Sequence, residues 1–402
     1  MRGVLGKKLC MPWEEKKVMN QRSEFVLRAM ESENFRDLCR EYGISAKTGY
    51  KWKQRFMEEG LGGMGDQSRR PASMPGGLPE AVVCELIYLK QKHSAWGARK
   101  IRELYARKHS GQAPSESSVK RVLARAGLVE KRRVRSRERS GRLHSGRRAT
   151  RPNDVWTVDF KGWWYGAEGR RCEPLTVRDE FSRYVLELRT LENARYETVR
   201  AAFERLFQRH GLPAAIRSDN GSPFASHSAI FGLTRLSAWW LALGIDLERG
   251  RPGCPQDNGA HERLHADIAR EIEAARLGEQ QASLDLWRRT FNHERPHEAL
   301  AMKCPGEVYT PSPRKYAPLA DLTYEKMRRL KVTATGSIRW KTKLVFLSTA
   351  LAGWSVGLEP STEGNWAVWF GRLRLGQIDA QTLTFQSVEP VEAPPTTQQN
   401  AA

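Results

Sequence analysis

Apolar runs of eighteen residues are missing from this 402-residue chain, so the sequence offers no candidate membrane-spanning helix. Its opening stretch, MRGVLGKKLC, also lacks the apolar core of a secretory leader, which points to a soluble, cytoplasmic protein without a membrane partner. Cysteine is sparse and unpatterned. Cys10, Cys39, Cys84, Cys172, Cys254 and Cys304 form no C-x-x-C pair, which excludes a disulfide framework and a zinc ribbon. The third scarcity is of acid in the front of the chain. Residues 1–150 hold 34 Lys and Arg against 16 Asp and Glu, whereas the other 252 hold 33 against 30. Most of the net charge of +21 therefore sits in the first 150 residues, and a polyanion, nucleic acid first, is the expected partner.

The basic front half has helical periodicity. Phe35, Leu38, Cys39 and Tyr42 fall on one helix face, Gly43 breaks the helix, and Ser45 can cap a second helix running through Trp52 and Phe56. That is the pattern of a helix-turn-helix, and it assigns residues 1–66 to a DNA-binding domain with Lys47, Thr48, Tyr50 and Lys51 facing a major groove. After a Gly/Pro-containing linker, residues 78–130 show three further helical stretches, with Val119, Val122 and Leu123 as the apolar face of the third. They are expected to form a second helical DNA-binding domain. Residues 131–152 contain no apolar periodicity and are dominated by arginine. Arg132, Arg133, Arg135 and Arg137 would lie along phosphates in an extended arm.

From residue 153 to 312 the pattern changes to alternating α and β. Strands are expected near 154–165, 173–179, 183–190, 214–217 and 245–248, with helices over 194–210, about 233–243 and from Pro255 onward. The order β-β-β-α-β-α-β-α fits a ribonuclease-H-like sheet between helices. Residues 323–388, rich in tryptophan and β-branched residues with regular glycines, suggest a small β-barrel, and residues 389–402 a disordered tail. The chain is thus expected to be multidomain: α helix-turn-helix domains, a central α/β core and a C-terminal β-barrel.

Three acids stand out in that core. Asp159 lies in the strand Val-Trp-Thr-Val-Asp-Phe, Asp219 follows the fourth strand in Arg-Ser-Asp-Asn-Gly, and Glu262 begins the last helix in Asp-Asn-Gly-Ala-His-Glu-Arg. A carboxylate in mid-strand costs several kcal/mol, roughly, unless a partner neutralises it, and one metal ion can neutralise several carboxylates together. Hard oxygen ligands suit Mg²⁺ or Mn²⁺, and two such ions about 3.5–4 Å apart can serve an in-line displacement at phosphorus. A rival is written over the same helix, because His261-Glu262-Arg263-Leu264-His265 is H-E-x-x-H, a zinc-protease pattern. No third ligand follows at the required spacing, and that reading leaves Asp159, Asp219 and the basic charge unused.

The strings WTVDF, RSDNGSPF, CPQDNGAHERLH and NHERPHEAL resemble, in order, the catalytic core of insertion-sequence transposases of the retroviral-integrase superfamily, the D,D,E recombinases. The resemblance covers roughly residues 20–390. It implies that Asp159 bridges two Mg²⁺ (or Mn²⁺) ions, and that Asp219 and Glu262 each complete one metal site. It implies double-stranded DNA, both element ends and target, as substrate, and a homodimer or higher assembly on DNA, associated with the nucleoid. His261 and His265 would offer contacts to phosphate or to the metal site, and Arg295 would pack against the core with a DNA contact. The 43 positions from Asp219 to Glu262 exceed the spacing of compact members, with the excess in 226–237. A catalytically silent DNA-binding regulator and a plain nuclease remain alternatives at this level.

Overall fold

The computed structural model describes residues 18–66, 77–129, 146–165, 169, 171–226, 229–251, 259–273, 280–361 and 364–388. The expected arm with Arg132, Arg133, Arg135 and Arg137, the helix start at Pro255 and the expected tail lie outside the described residues. The chain divides into two compact units, Met1–Gly77 and Leu78–Ala402.

The first unit contains α1 (Val18–Glu31), α2 (Phe35–Glu41) and α3 (Ala46–Glu59). Gly43 supplies the turn between α2 and α3 at φ +63°, a left-handed conformation that glycine adopts without strain. The Ser45 hydroxyl then accepts a hydrogen bond from the Thr48 N–H and caps α3. Gly49 allows the two helices to cross closely, since a Cβ there would stand 2.6 Å from Cys39 Sγ. Phe25, Val26, Leu38, Cys39 and Trp52 fill the core beneath.

The second unit begins with α4 (Glu80–Lys92), α5 (Ala98–Lys108) and α6 (Glu116–Arg125), closed around Leu86, Ile101, Tyr105, Val119 and Leu123. Ser115 caps α6 through the Ser118 N–H. This bundle is docked on later parts of the chain. Arg99 reaches Glu298 at 3.0 Å, and Arg107 reaches Glu307 and the Met302 carbonyl at 3.0 Å each.

The central sheet has the order β5-β4-β1-β6-β7, from β1 (Val155–Phe160), β4 (Pro174–Asp179), β5 (Val185–Thr190), β6 (Ala215–Ser218) and β7 (Asp246–Arg249). A small pair, β2 (Trp164–Tyr165) with β3 (Arg171–Cys172), follows β1. β1 runs antiparallel to β4 and parallel to β6, the mixed topology that the element order implied. Helices cover both faces. On one, α7 (Tyr196–His210) and α8 (Arg235–Ala242) bury Phe203, Phe207, Trp239 and Trp240 against Trp156 and Val158. On the other, α9 (Gly259–Ile268), a π-helical turn Ala269–Glu273 and α10 (Gln280–His293) bury Leu264, Ile268, Leu284 and Phe291 against Val185 and Leu188.

A short helix α11 (Pro305–Val308) leads to the C-terminal strands. β8 (Arg328–Lys331), β11 (Ser355–Pro360), β12 (Trp366–Phe370), β13 (Leu373–Ile378) and β14 (Phe385–Ser387) form one antiparallel sheet in the order β14-β13-β12-β11-β8. β9 (Ser337–Trp340) and β10 (Lys343–Phe346) make a separate hairpin. The expected β-barrel is therefore not what is found: among the described residues β8 and β14 each pair on one side only, and the sheet is open. A barrel needs strands whose tilt and register match all the way round, and the three residues of β14 give little ladder to close with. The strands themselves fall where the tryptophan and glycine spacing put them. Their core, Val356, Leu358, Val368 and Phe370, is continuous with Ala238 and Ala242 of α8.

Candidate active site

Strand alternation and register bring the first two acids together. Trp156 and Val158 point into the α7–α8 core, so Thr157 and Asp159, two apart, share the opposite face, the one covered by α9. The parallel ladder pairs Thr157 with Arg217. Two residues further along both strands stand Asp159 and Asp219, the latter one position beyond the end of β6. Neighbouring strands lie about 4.8 Å apart, so the two carboxylates leave the same end of the sheet side by side.

The third acid arrives on α9, and the helix is fixed to the sheet by a polar clamp. His261 is fully buried. Its Nδ1 lies 2.9 Å from Thr157 Oγ1, and its Nε2 lies 2.5 Å from Thr176 Oγ1. His265 Nε2 reaches the same Thr176 oxygen at 2.8 Å, and the Thr176 hydroxyl donates to the Asp159 carbonyl at 2.8 Å. Proton positions assigned from this network give each imidazole an Nε2–H that donates to Thr176, with His261 Nδ1 accepting from Thr157. Both rings are neutral: burial holds His261 well below its ordinary value and brings His265 down to about 4. Arg178 adds a further tie by donating to the Ala260 carbonyl at 2.9 Å. The two histidines thus hold α9 in place, and His261 has no surface to offer a phosphate.

With α9 seated this way, Glu262 sits exposed beside the sheet end, and Asp219 is exposed as well. Asp159 is half-buried, and its carboxyl is raised to about 7 by burial first, then by the negative charge of Asp219 and of Glu262. All three acids therefore act within one electrostatic field. His265 Nδ1, which bears a lone pair in the assigned tautomer, faces Asp159 Oδ2 at 3.9 Å. With the ring neutral, that contact is two acceptors in opposition, not an ion pair.

The chemistry of these groups fits a divalent cation. Three carboxylates are hard oxygen donors, and a half-buried carboxyl that resists ionisation beside two others is one that a cation would relieve. Among the described residues, no three His, Cys, Asp or Glu side chains are drawn into a ready ligand set. The H-E-x-x-H pattern is accounted for differently, since both its imidazoles are spent on Thr157 and Thr176.

Other expected residues separate into two groups. Lys47, Tyr50 and Lys51 lie exposed on α3, with Tyr50 stacked on Phe35 at 4.3 Å, whereas the Thr48 hydroxyl is taken up by Ser45 at 2.9 Å. Asn292 packs against the core: its side chain exchanges two 2.9 Å hydrogen bonds with the Val185 backbone. The DNA contact expected of Arg295 is overturned. That side chain is buried and bound to Asp267 at 2.8 Å and Glu271 at 3.2 Å. Asp267 also lies 3.9 Å from Arg263 at i,i+4, but Arg295 is the closer cation. Thr157, Thr176 and Arg178 were missed by sequence reasoning. Polar residues in a strand otherwise buried were the available signal.

Four family models match the chain: an integrase core domain over residues 149–255, a further integrase core domain over 243–305, a helix-turn-helix domain over 21–72 and a homeodomain-like domain over 48–123. The insertion element IS407 uncharacterized 31.7 kDa protein of Burkholderia multivorans is 27% identical over 235 residues, which cover 57% of this chain and 80% of that protein. The insertion element IS476 uncharacterized 39.2 kDa protein of Xanthomonas euvesicatoria is 25% identical over 251 residues, covering 61% and 70%. Among solved structures, the HTLV-2 integrase catalytic core domain in complex with magnesium is 16% identical, with a TM-score of 0.33, and covers 40% of this chain and 100% of that one.

Proposed function

This chain carries an integrase core domain preceded by helix-turn-helix and homeodomain-like domains, and on that premise we propose that it is the DNA transposase of an insertion element. It binds the terminal repeats of the element and catalyses nicking and strand transfer, with Asp159, Asp219 and Glu262 as the catalytic and metal-holding residues. The observation that carries this reading is the placement of Asp159 and Asp219 on adjacent strands in register, beside Glu262; burial first, then the charges of Asp219 and Glu262, raise the Asp159 carboxyl to about 7.

The protein's part is placement. Asp159 and Asp219 are delivered by adjacent strands in register, and the His261–Thr157 and His265–Thr176 contacts hold the helix that presents Glu262. Two Mg²⁺ or Mn²⁺ ions held by the three carboxylates would supply activation of the attacking oxygen and stabilisation of the leaving one. Exposure of Asp219 and Glu262 leaves the site open to a duplex end. The exposed lysines of α3 engage the groove and phosphates, and Arg132, Arg133, Arg135 and Arg137 are assigned to the phosphate backbone. Joining two ends requires two such sites, hence a dimer or higher assembly on DNA.

The test is Asp159→Asn assayed on element-end DNA with Mg²⁺. Strand transfer should fall about a thousandfold or more (roughly 4 kcal/mol), with DNA binding retained. If both the wild-type chain and the variant bind DNA and neither cuts it, a silent DNA-binding regulator is the correct reading. Release of 3′-hydroxyl ends that are never joined would identify a nuclease.

A further inference from the structure

Three consecutive aromatic residues, Trp163, Trp164 and Tyr165, follow the strand that delivers Asp159. Alternation sends the middle one inward. Trp164 is buried with Cys172, Val185 and Leu188 of the sheet side and with Leu264 and Ile268 of α9, the helix that bears Glu262. That contact ties the β2–β3 pair to the element carrying the third acid. Trp163 and Tyr165 face the other way, 53% and 61% exposed, with their rings edge to face at 5.3 Å. The Arg171 guanidinium, on the residue paired with Tyr165, lies 5.3 Å from the Trp163 ring and also holds Glu173 at 2.7 Å.

Single exposed apolar side chains are ordinary and call for no explanation. Here two aromatic rings and a planar cation are clustered and left in water, while Trp164 and Cys172 anchor the strand pair. The cluster lies close to the acids, because four residues of chain from Asp159 to Trp163 span at most about 14 Å. Its chemistry selects a flat, polarisable ligand with a π face. Glu173 offsets part of the Arg171 charge, so the group is better suited to stacking than to clamping a phosphate. A paired base inside a duplex hides its faces, whereas an unpaired base offers them.

We propose that Trp163 and Tyr165, backed by Arg171, form a stacking platform for unpaired nucleobases at the DNA end presented to Asp159. The proposal rests on the reading of this site as one that processes DNA. Every base has a π face, so the platform is tolerant of sequence and selective for opened ends. It holds the strand that has left the duplex and so helps to present the phosphodiester at the end of the sheet.

The experiment uses the full chain in EDTA, so that no chemistry intervenes. The probes are a duplex ending in a short unpaired 3′ strand with 2-aminopurine beside the junction, and the same duplex fully paired. The wild type should bind the forked probe more tightly and quench its fluorescence. Trp163→Ala/Tyr165→Ala should weaken binding to the forked probe roughly five- to a hundredfold for each base that stacks, and abolish quenching. Its affinity for the paired duplex and its unfolding midpoint should stay unchanged, and Trp163→Phe should restore quenching. Undiminished quenching by the double variant overturns the proposal. So does a double variant that loses self-association in sedimentation while still preferring the forked probe, since the rings would then cover a second copy of this chain. Asp159→Asn should quench like the wild type. Quenching without any strand transfer by the wild type would therefore remove the transposase reading and leave the platform standing, and strand transfer without quenching would do the reverse.

Discussion

His261 Nδ1 lies 2.9 Å from Thr157 Oγ1, which joins the residue before Glu262 to the residue two before Asp159. The helix that bears Glu262 and the strand that bears Asp159 are thereby fixed to each other inside the protein, one residue away from the acid on one side and two on the other. Thr157→Val keeps the side-chain shape and removes the hydroxyl, leaving a fully buried imidazole nitrogen without its donor. The expected loss is about 1–3 kcal/mol of stability, read from urea unfolding, with a fall in strand-transfer rate and unaltered DNA binding. Thr157→Ser should recover most of both. A Val variant as stable and active as the wild type would show that the clamp does not position α9.

Arg295 offers a test of burial against surface role. It is 4% exposed and lies between Asp267 and Glu271. Arg295→Leu takes the closest cation from the Asp267 carboxylate, leaving it Arg270 at 3.4 Å and Arg263 at 3.9 Å, and should destabilise the chain by up to about 3–5 kcal/mol. The double change Arg295→Leu/Asp267→Leu should recover part of that loss, because the buried Asp267 charge is gone and Glu271 keeps its hydrogen bond from the Trp287 indole N–H at 2.7 Å. DNA affinity should be the same for all folded variants, and a specific loss of affinity in the double variant would return Arg295 to the DNA surface.

Lys47 and Lys51 lie one turn apart and exposed on α3. Changing both to alanine should weaken DNA binding across sequences. It should also flatten the slope of log affinity against log salt by about 2, one unit for each phosphate that is no longer neutralised. Far-UV dichroism should not change. An unaltered salt slope would move the DNA-binding face elsewhere on the unit.

Asp321 gives a pH dependence that stands apart from Asp159, Asp219 and Glu262. Burial acts to raise its carboxyl, but the Lys331 ammonium, the Ser355 hydroxyl and the backbone N–H groups of Leu322 and Ser355 outweigh it and hold the group at about 2. A carboxyl depressed in the folded state stabilises above its unfolded value, near 3.9, and loses that contribution as pH falls toward 2. Asp321→Asn should therefore lower the unfolding midpoint at pH 7, with the gap from the wild type closing between about pH 4 and pH 2. A gap that stays constant over that window would contradict the assignment.

Much of the core was legible because its signals are local. Alternation around Val155–Phe160 set which face Asp159 takes, and the turn at Gly43 with the cap at Ser45 marked the helix-turn-helix. What was not legible depends on partners distant in sequence. Nothing near Arg295 announces that Asp267, twenty-eight residues earlier, will bury it. The imidazoles of His261 and His265 looked free because Thr157 and Thr176 lie some eighty to a hundred residues away. Closure of the C-terminal sheet failed for a similar reason, since short strands fix pairing with their neighbours but not how the two edge strands meet.

The most direct test of the account is a count of bound Mn²⁺ by electron paramagnetic resonance, with the full chain on element-end DNA. The wild type should bind two ions per site, and Asp159→Asn, Asp219→Asn and Glu262→Gln should each lose at least one while still binding the DNA. An unchanged count in all three variants would place the cations elsewhere and contradict the claim that these acids form a single site.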